Sequence, residues 1–325
     1  MSKTTYWLGV DLGGTKMLAA LFNDKFKVLA ERKEKTSGQD GAKAVVAHLQ
    51  QLINDTAAEA NIPVKKLAGI GLGVPGPVNV ATGSVLSAPN LGWHNLPLQK
   101  ILERACAVPV RVFNDVDAGT YGEYRFGTGE RARCVIGLFP GTGIGGGCVY
   151  EGKVFTGREN SCFEFGHMQA VPGGRLCGCG RRGCLEAHAS RLAIAADCAA
   201  AAYRGQAPAL LELAGTDLRE IKSRTLAKSI AAGDRAIEDI VRRAARQLGI
   251  AAAGVVNLIA PDIIVLGGGL VEALEKIYLD EVREAVLQHA MPLLGERVKV
   301  RAAQLGDHAT VLGAAALVAE ARGKL

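Results

Sequence analysis

The chain has 325 residues, 49% of them apolar and 22% charged, which excludes a disordered chain, a collagen-like repeat or a disulfide-stapled miniprotein and suits two packed lobes. Its formal charge of +6 does not make it a nucleic-acid binder, because the basic residues come in scattered pairs such as Lys65-Lys66, Arg181-Arg182 and Arg242-Arg243 and form no recognisable module. Mild basicity suits an anionic small substrate such as a nucleotide instead.

Trp7 to Val10 is an apolar run ending at Asp11, followed by a Gly-Gly-Thr-Lys turn and a second run, Met17 to Phe22. Strand, glycine turn, strand is the reading, with a third strand from Val28 to Arg32. Residues 42–60 carry Val45, Val46, Leu49, Leu52 and Ile53 at the spacing of one helix face. Leu67 to Val74 reads as a buried strand running into Pro75-Gly76-Pro77, and Val110 to Phe113 as another that ends at Asn114-Asp115. The pattern then restarts: a strand over 134–139, a glycine turn over 141–147 and a returning strand over 148–154. At an offset of 128 residues Gly9 matches Gly137 and Gly13 matches Gly141, so a duplicated lobe is expected. From Ile237 the apolar residues keep a helical period, Asp262 to Leu266 is a strand stopping at Gly267-Gly268-Gly269, and residues 309–321 form an alanine-rich helix. Strands separated by helices make this an α/β protein of two lobes.

No segment reads as a signal peptide or membrane span. Asp11 interrupts any early apolar run, and the apolar stretch over 250–270 is broken by Asn257 and Pro261-Asp262. A cytoplasmic, reducing compartment is therefore expected, where cysteines serve as buried thiols, metal ligands or nucleophiles.

The Asp11-Leu12-Gly13-Gly14-Thr15-Lys16 turn can present backbone N–H groups, a hydroxyl and an ammonium to phosphate oxygens, with Asp11 placed to hold Mg2+. A plain tight hairpin would use the same glycines. Gly141-Thr142-Gly143-Ile144-Gly145-Gly146-Gly147 is neither a dinucleotide fingerprint nor a Walker A loop, and its density of glycine points to backbone brought close to a ligand. His167, Cys177, Cys179 and Cys184 are four ligands of the types Zn2+ prefers, and three cysteines with one histidine make a closed, structural site. A disulfide in that loop is the less favoured alternative. Cys106, Cys134, Cys148, Cys162 and Cys198 read as buried thiols; a nucleophilic Cys162 would need His167 as its base, which the zinc reading already uses. Asp115 can act as a general base or cap the helix that follows it.

In chain order the sequence holds Asp11-Leu-Gly-Gly-Thr-Lys, Gly73-Val-Pro-Gly-Pro, Pro89-Asn-Leu-Gly-Trp, Asn114-Asp115, Gly141-Thr-Gly-Ile-Gly-Gly-Gly, Glu164-Phe-Gly-His, Cys177-Gly-Cys-Gly-Arg-Arg-Gly-Cys-Leu-Glu, the Gly267 triplet and Asp307-His-Ala-Thr-Val-Leu-Gly-Ala-Ala. Together these resemble the ROK family (repressors, open reading frames and sugar kinases), and most of all its bacterial glucokinases. The resemblance implies a two-lobed, actin-like ATPase fold, a duplicated ribonuclease-H-like α/β architecture with a zinc-binding loop, holding sugar and ATP between its lobes. Residues 1–115, joined by the C-terminal helix 308–325, would form the small lobe. Residues 116–307 would form the large lobe, with the zinc loop and dimerisation helices of a homodimer.

The same resemblance implies ATP, Mg2+ and structural Zn2+, and phosphorylation of a hexose 6-hydroxyl, foremost that of glucose. Fructose, mannose, allose or an N-acetylhexosamine are alternative substrates, and a non-catalytic sugar sensor is the alternative class. Asp115 would be the general base, and Asn90, Asn114, Glu164, His167 and Glu186 would hydrogen-bond the sugar, His167 using its second ring nitrogen. Thr15, Lys16, Thr142 and Gly143 would line the phosphates beside Asp11, Gly13 and Gly14, and Gly268 and Gly269 the adenosine. A repressor of this family carries a helix-turn-helix domain ahead of the core, for which a first strand near Tyr6 leaves no room. Two stretches depart from the family pattern. Glu159-Asn160-Ser161-Cys162-Phe163 is bulkier and more polar than usual and puts the sugar rim in question, and Val116-Asp117 adds a carboxylate after the base.

Overall fold

The computed structural model describes residues 4–36, 41–158 and 162–325. Glu159, Asn160 and Ser161 of the unusual rim sequence lie outside the described residues.

The N-terminal hairpin forms as expected from β1 (Trp7–Leu12) and β2 (Lys16–Phe22), and β3 (Val28–Lys35) pairs antiparallel to β2. Helix α1 (Gly41–Glu59) buries Val45, Val46, Leu49, Leu52 and Ile53, the stripe that marks it in the sequence. β4 (Gly69–Val74) pairs parallel to β1 and is buried along its whole length, as a central strand covered on both faces must be. A small antiparallel sheet of β5 (Val78–Asn79), β6 (Ser84–Ala88) and β7 (Trp93–Leu96) follows, its strands too short to show a period in the sequence. Then come α2 (Leu98–Cys106), β8 (Val110–Asn114), parallel to β4, and α3 (Asp115–Phe126).

The second half begins with β9 (Cys134–Pro140), β10 (Ile144–Tyr150) and β11 (Lys153–Val154). Helices α4 (Glu186–Ala189), α5 (Arg191–Tyr203), α6 (Pro208–Ala214), α7 (Ser223–Ala231) and α8 (Arg235–Ile259) precede β12 (Ile263–Leu266). The chain ends with α9 (Gly269–His289), α10 (Pro292–Gly295), β13 (Lys299–Ala302) and α11 (His308–Ala321). The glycine turn expected over residues 141–147 closes by residue 143, and Gly145 to Gly147 belong to β10. The glycine at 147 serves packing rather than turning: a Cβ there would lie 2.3 Å from Thr120 Oγ1 and 3.2 Å from the Val116 carbonyl oxygen.

The strand orders establish the duplication that the sequence offset hints at. One sheet runs β3-β2-β1-β4-β8 and the other β11-β10-β9-β12-β13. In each, a meander of three strands comes first and two parallel strands are added on the side of the first strand. The first sheet carries α11, which is buried from Val311 to Ala319 and apolar on every side. Glycines let it approach closely. A Cβ on Gly9 would lie 1.9 Å from the Val311 oxygen, and one on Gly71 2.0 Å from the Ala314 oxygen.

Two compact units emerge. Unit 1 comprises Met1–Arg131, Gly147–Phe163 and Asp307–Leu325; unit 2 comprises Ala132–Gly146 and Glu164–Gly306. The first break therefore falls after α3 and not at the expected 115/116 boundary. The reason is that α3 packs on α11, with Gly122 and Gly313 each facing the other helix's backbone. Among the described residues no helix is long and apolar enough to cross a membrane.

Candidate active site

In unit 1 the polar residues collect at the ends of β1 and β8. Asp11 is held in β1 between Leu18 of β2 and Gly73 of β4. The turn after it is closed by the Gly13 N–H donating to the Lys16 carbonyl at 2.9 Å, while Thr36 Oγ1 donates to the Gly13 carbonyl at 2.8 Å. Gly14 and Thr15 are exposed at its tip, beside Asn90, whose Cβ is 3.7 Å from where a Gly14 Cβ would be. The turn is thus a true hairpin whose open tip still offers donors, so the two readings of its glycines do not compete. Asn90 lies in a single 3-10 turn, Pro89–Leu91.

Lys16 Nζ and Lys33 Nζ donate to the two oxygens of Asp307, each at 2.6 Å. These bonds hold the Asp307 carboxyl down to about 2. Asp11 is pushed the other way, up to about 7, first by burial and then by the neighbouring charge of Asp115, with Lys16 opposing. A carboxylate raised by burial and by a like charge is a setting that a cation would relieve. Asp307 falls in the closing motif of the sequence, but no local spacing announces that it would clasp two lysines nearly 300 positions away.

Asn114 and Asp115 divide their work. Asn114, not Asp115, is the N-cap of α3: its Oδ1 accepts from the N–H groups of Val116 (2.9 Å) and Asp117 (3.0 Å), and its Nδ2 donates to the Gly76 carbonyl at 3.1 Å. Gly76 takes φ +84°, where a Cβ would lie 2.1 Å from the Ser87 oxygen. Asp115 is the first helical residue, half-buried, with Oδ1 accepting the Val116 N–H at 2.9 Å. Gly73 makes room for it, since a Cβ there would meet Thr310 Cγ2 at 2.3 Å and the Asp115 Cα at 3.2 Å.

In unit 2 the Gly141–Gly143 turn closes with the Gly141 N–H donating to the Gly143 carbonyl at 2.8 Å. Glu186, at the start of α4, accepts the Ile144 N–H through Oε2 at 2.9 Å, and that same oxygen would be 2.4 Å from a Gly143 Cβ. Glu164 and His167 bracket a 3-10 turn and are exposed. Its central Gly166 is obligatory, because a Cβ would lie 2.3 Å from the Ile144 oxygen. Gly268, at φ +82°, precedes α9, and Gly269 opens it beside Ser223.

The four expected metal ligands converge. Nδ1 of His167 and the sulfurs of Cys177, Cys179 and Cys184 all lie within 4.8 Å of one another. Cys177 Sγ is 3.6 Å from His167 Nδ1, and Cys179 Sγ is 3.7 Å from Cys184 Sγ. Zinc bonds of about 2.3 Å to sulfur and about 2.0 Å to nitrogen imply tetrahedral edges of roughly 3.5–3.8 Å, so these spacings fit the ion. Gly180 (φ +83°) and Gly183 (φ +81°) make the turns between ligands, and a Cβ on Gly183 would lie 1.9 Å from the Val171 oxygen. Burial pushes the Cys177 thiol up to about 12, so metal binding here has to displace protons. Glu186 Oε1 lies 3.8 Å from Cys177 Sγ, which places one carboxylate between the glycine turn and the ligand cluster.

The ROK family profile matches residues 7–321. A glucokinase from Thermotoga maritima is 33% identical over 317 residues, 97% of this chain and 98% of that protein. A xylose repressor from Caldicellulosiruptor bescii is 29% identical over 311 residues, 96% of this chain and 77% of that protein. The crystal structure of a ROK family glucokinase from Streptomyces griseus, in complex with glucose and AMPPNP, superposes with a TM-score of 0.83 at 33% identity, covering 96% of this chain and 98% of that one.

Proposed function

The chain belongs to the ROK family and has its α/β, actin-like ATPase fold, and on that footing we propose that it is an ATP-dependent glucokinase. It transfers the γ-phosphoryl group of ATP to the 6-hydroxyl of glucose, giving glucose 6-phosphate, a substrate for glycolysis, and ADP. The observation that carries this reading is the end of β8, where Asn114 caps α3 and Asp115 keeps its carboxylate beside Asp11 and the Gly13–Lys16 turn.

Asp115 accepts the 6-hydroxyl proton as that oxygen attacks the γ-phosphorus in line and the bond to the ADP oxygen breaks. Asn90, Glu164, His167 and Glu186 hydrogen-bond the sugar hydroxyls. Asn114 adds the one amide hydrogen that Gly76 leaves it. Gly13, Gly14, Thr15 and Lys16, with Thr142 and Gly143, hold the phosphates, and Gly268 and Gly269 face the adenosine. Asp11 would hold Mg2+, which would supply charge neutralisation on the phosphates.

His167, Cys177, Cys179 and Cys184 would hold a structural Zn2+, a four-ligand set of the kind that serves structure rather than hydrolysis. Ligation there would fix the His167 ring so that its second nitrogen presents an N–H to the sugar. Metal analysis should find about one zinc per chain, and the Cys177→Ser/Cys179→Ser double variant should lose it. A metal-free wild type with full activity would remove the site.

Buried cysteine thiols such as Cys106 and Cys198 support a reducing cytoplasm as the working compartment. Exposed apolar side chains on neighbouring helices support a homodimer: Ile250 and Leu258 of α8, Leu287 of α9, and Met291 and Leu293 at α10.

The assay that tests the substrate assignment couples ADP release to a panel of glucose, mannose, fructose, allose, N-acetylglucosamine and N-acetylmannosamine. Glucose should show the highest kcat/KM. Preference for another sugar would move the specificity, and turnover with none would leave a sugar binder without catalysis.

A further inference from the structure

Arg191, the first residue of α5, reaches back to the Gly141–Gly143 turn twice. Its backbone N–H donates to the Gly141 carbonyl at 2.8 Å, and its Nη2 donates to Thr142 Oγ1 at 3.0 Å. That neutral hydroxyl is the only side-chain partner of its guanidinium among the described residues. Helix stability does not explain the residue. Ser190 already caps α5 by accepting the Ala193 N–H, and a cation in the first turn opposes the helix dipole.

The charge makes sense against what the turn lacks. Gly141, Thr142 and Gly143 supply backbone and hydroxyl donors but no positive charge, and the Glu186 carboxylate packs on Gly143 and Ile144. A polyphosphate laid on this turn would meet that negative charge unless a cation offset it. Thr142 is exposed, and nothing lies within 4 Å of where a Gly141 Cβ would be, so the turn is open beside Arg191.

We propose that Arg191 is a phosphate-binding residue, its guanidinium docked on Thr142 and donating to the phosphate chain of the bound nucleoside triphosphate. The proposal rests on the reading of the Gly141–Gly143 turn as an ATP-phosphate site. A planar, always-charged fork suits phosphate oxygens better than a point charge.

The test is calorimetric binding of ATP and of adenosine to the full chain without sugar, then steady-state kinetics with glucose, for wild type, Arg191→Gln and Arg191→Lys. Glutamine keeps a donor for Thr142 but not the charge; lysine keeps the charge but not the fork. Loss of a charge-assisted hydrogen bond should weaken ATP binding of Arg191→Gln about 10- to 100-fold. Adenosine affinity and the KM for glucose should stay unchanged, with Arg191→Lys recovering part of the loss. ATP affinity at the wild-type level in Arg191→Gln would overturn the proposal. Equal weakening of ATP and adenosine would also overturn it, because it would make Arg191 a prop for the turn. A wild type that neither binds ATP nor phosphorylates a hexose would instead bring down the kinase reading and this inference with it.

Discussion

Replacing Asp115 with alanine is expected to lower kcat for hexose phosphorylation by about 10²- to 10⁴-fold, the usual share of a positioned general base, while sugar binding persists. The division of labour at the end of β8 makes this a clean experiment. The cap of α3 belongs to Asn114, through bonds to Val116 and Asp117, so the variant keeps its helix start. It also loses the bond that the Val116 N–H donates to Asp115 Oδ1, at a helix end where that N–H still has Asn114. Thermal melting should therefore change little, and calorimetry with glucose should still show binding. Wild-type turnover in Asp115→Ala would remove the base assignment outright. Loss of both binding and turnover would make Asp115 a sugar ligand or a folding residue instead.

The largest expected effect on stability comes from a single methyl group. In Gly313→Ala the new Cβ would lie 1.7 Å from the Ala118 oxygen, 2.7 Å from its carbonyl carbon and 2.8 Å from the Gly122 nitrogen. All three are backbone atoms of α3, so no side chain can swing away and the helices themselves must part. The mirrored position, where a Cβ on Gly122 would lie 2.2 Å from the Ala309 oxygen, leaves no slack on the other side. Overpacking of a well-packed interior costs about 1–3 kcal/mol, and a backbone clash at a buried helix crossing belongs at or above the top of that range. A fall in Tm of roughly 4–5 °C or more follows for a chain of this size. An unchanged Tm in Gly313→Ala would contradict the packing of α11 on α3. The active site also depends on this crossing: Thr310, on the same helix, donates to the Asp115 carbonyl at 3.3 Å.

Much of the fold was legible because it is written locally. The stripe of Val45, Val46, Leu49, Leu52 and Ile53 gives α1, and the apolar runs at Trp7, Met17 and Ile263 give strands whose ends shift by only a residue or two. The cysteine cluster was legible for the same reason, since Cys177, Cys179 and Cys184 lie within one short loop. What the sequence does not disclose is long-range. The place of α3 in unit 1 depends on Gly313 meeting Ala118, contacts between residues nearly 200 positions apart.

Glycine illustrates the limit from both sides. Of the 41 glycines, 18 fall in residues 11–15, 71–77, 141–147, 173–184 and 267–269, which read as backbone brought close to phosphate, sugar or metal. Gly14, Gly143 and Gly183 fit that reading at a turn tip, against Glu186 and between metal ligands. Gly71 belongs to one of the same segments but faces the Ala314 oxygen of α11, and Gly9 and Gly122 do likewise at other points of the helix. A ligand and a packed helix both require the same absent side chain, and sequence spacing alone does not separate them. Arg191 escaped notice for a related reason: an arginine opening a helix has no motif, and its meaning comes from Thr142, 49 positions earlier.

Phosphorus NMR of purified protein incubated with glucose, ATP and Mg2+ reads the proposed reaction most directly. A glucose 6-phosphate resonance that grows one for one with ADP, and does not grow with Asp115→Ala, is the expected result. ATP left intact, ADP formed without sugar phosphate, or phosphate on a hydroxyl other than the 6-hydroxyl would contradict it.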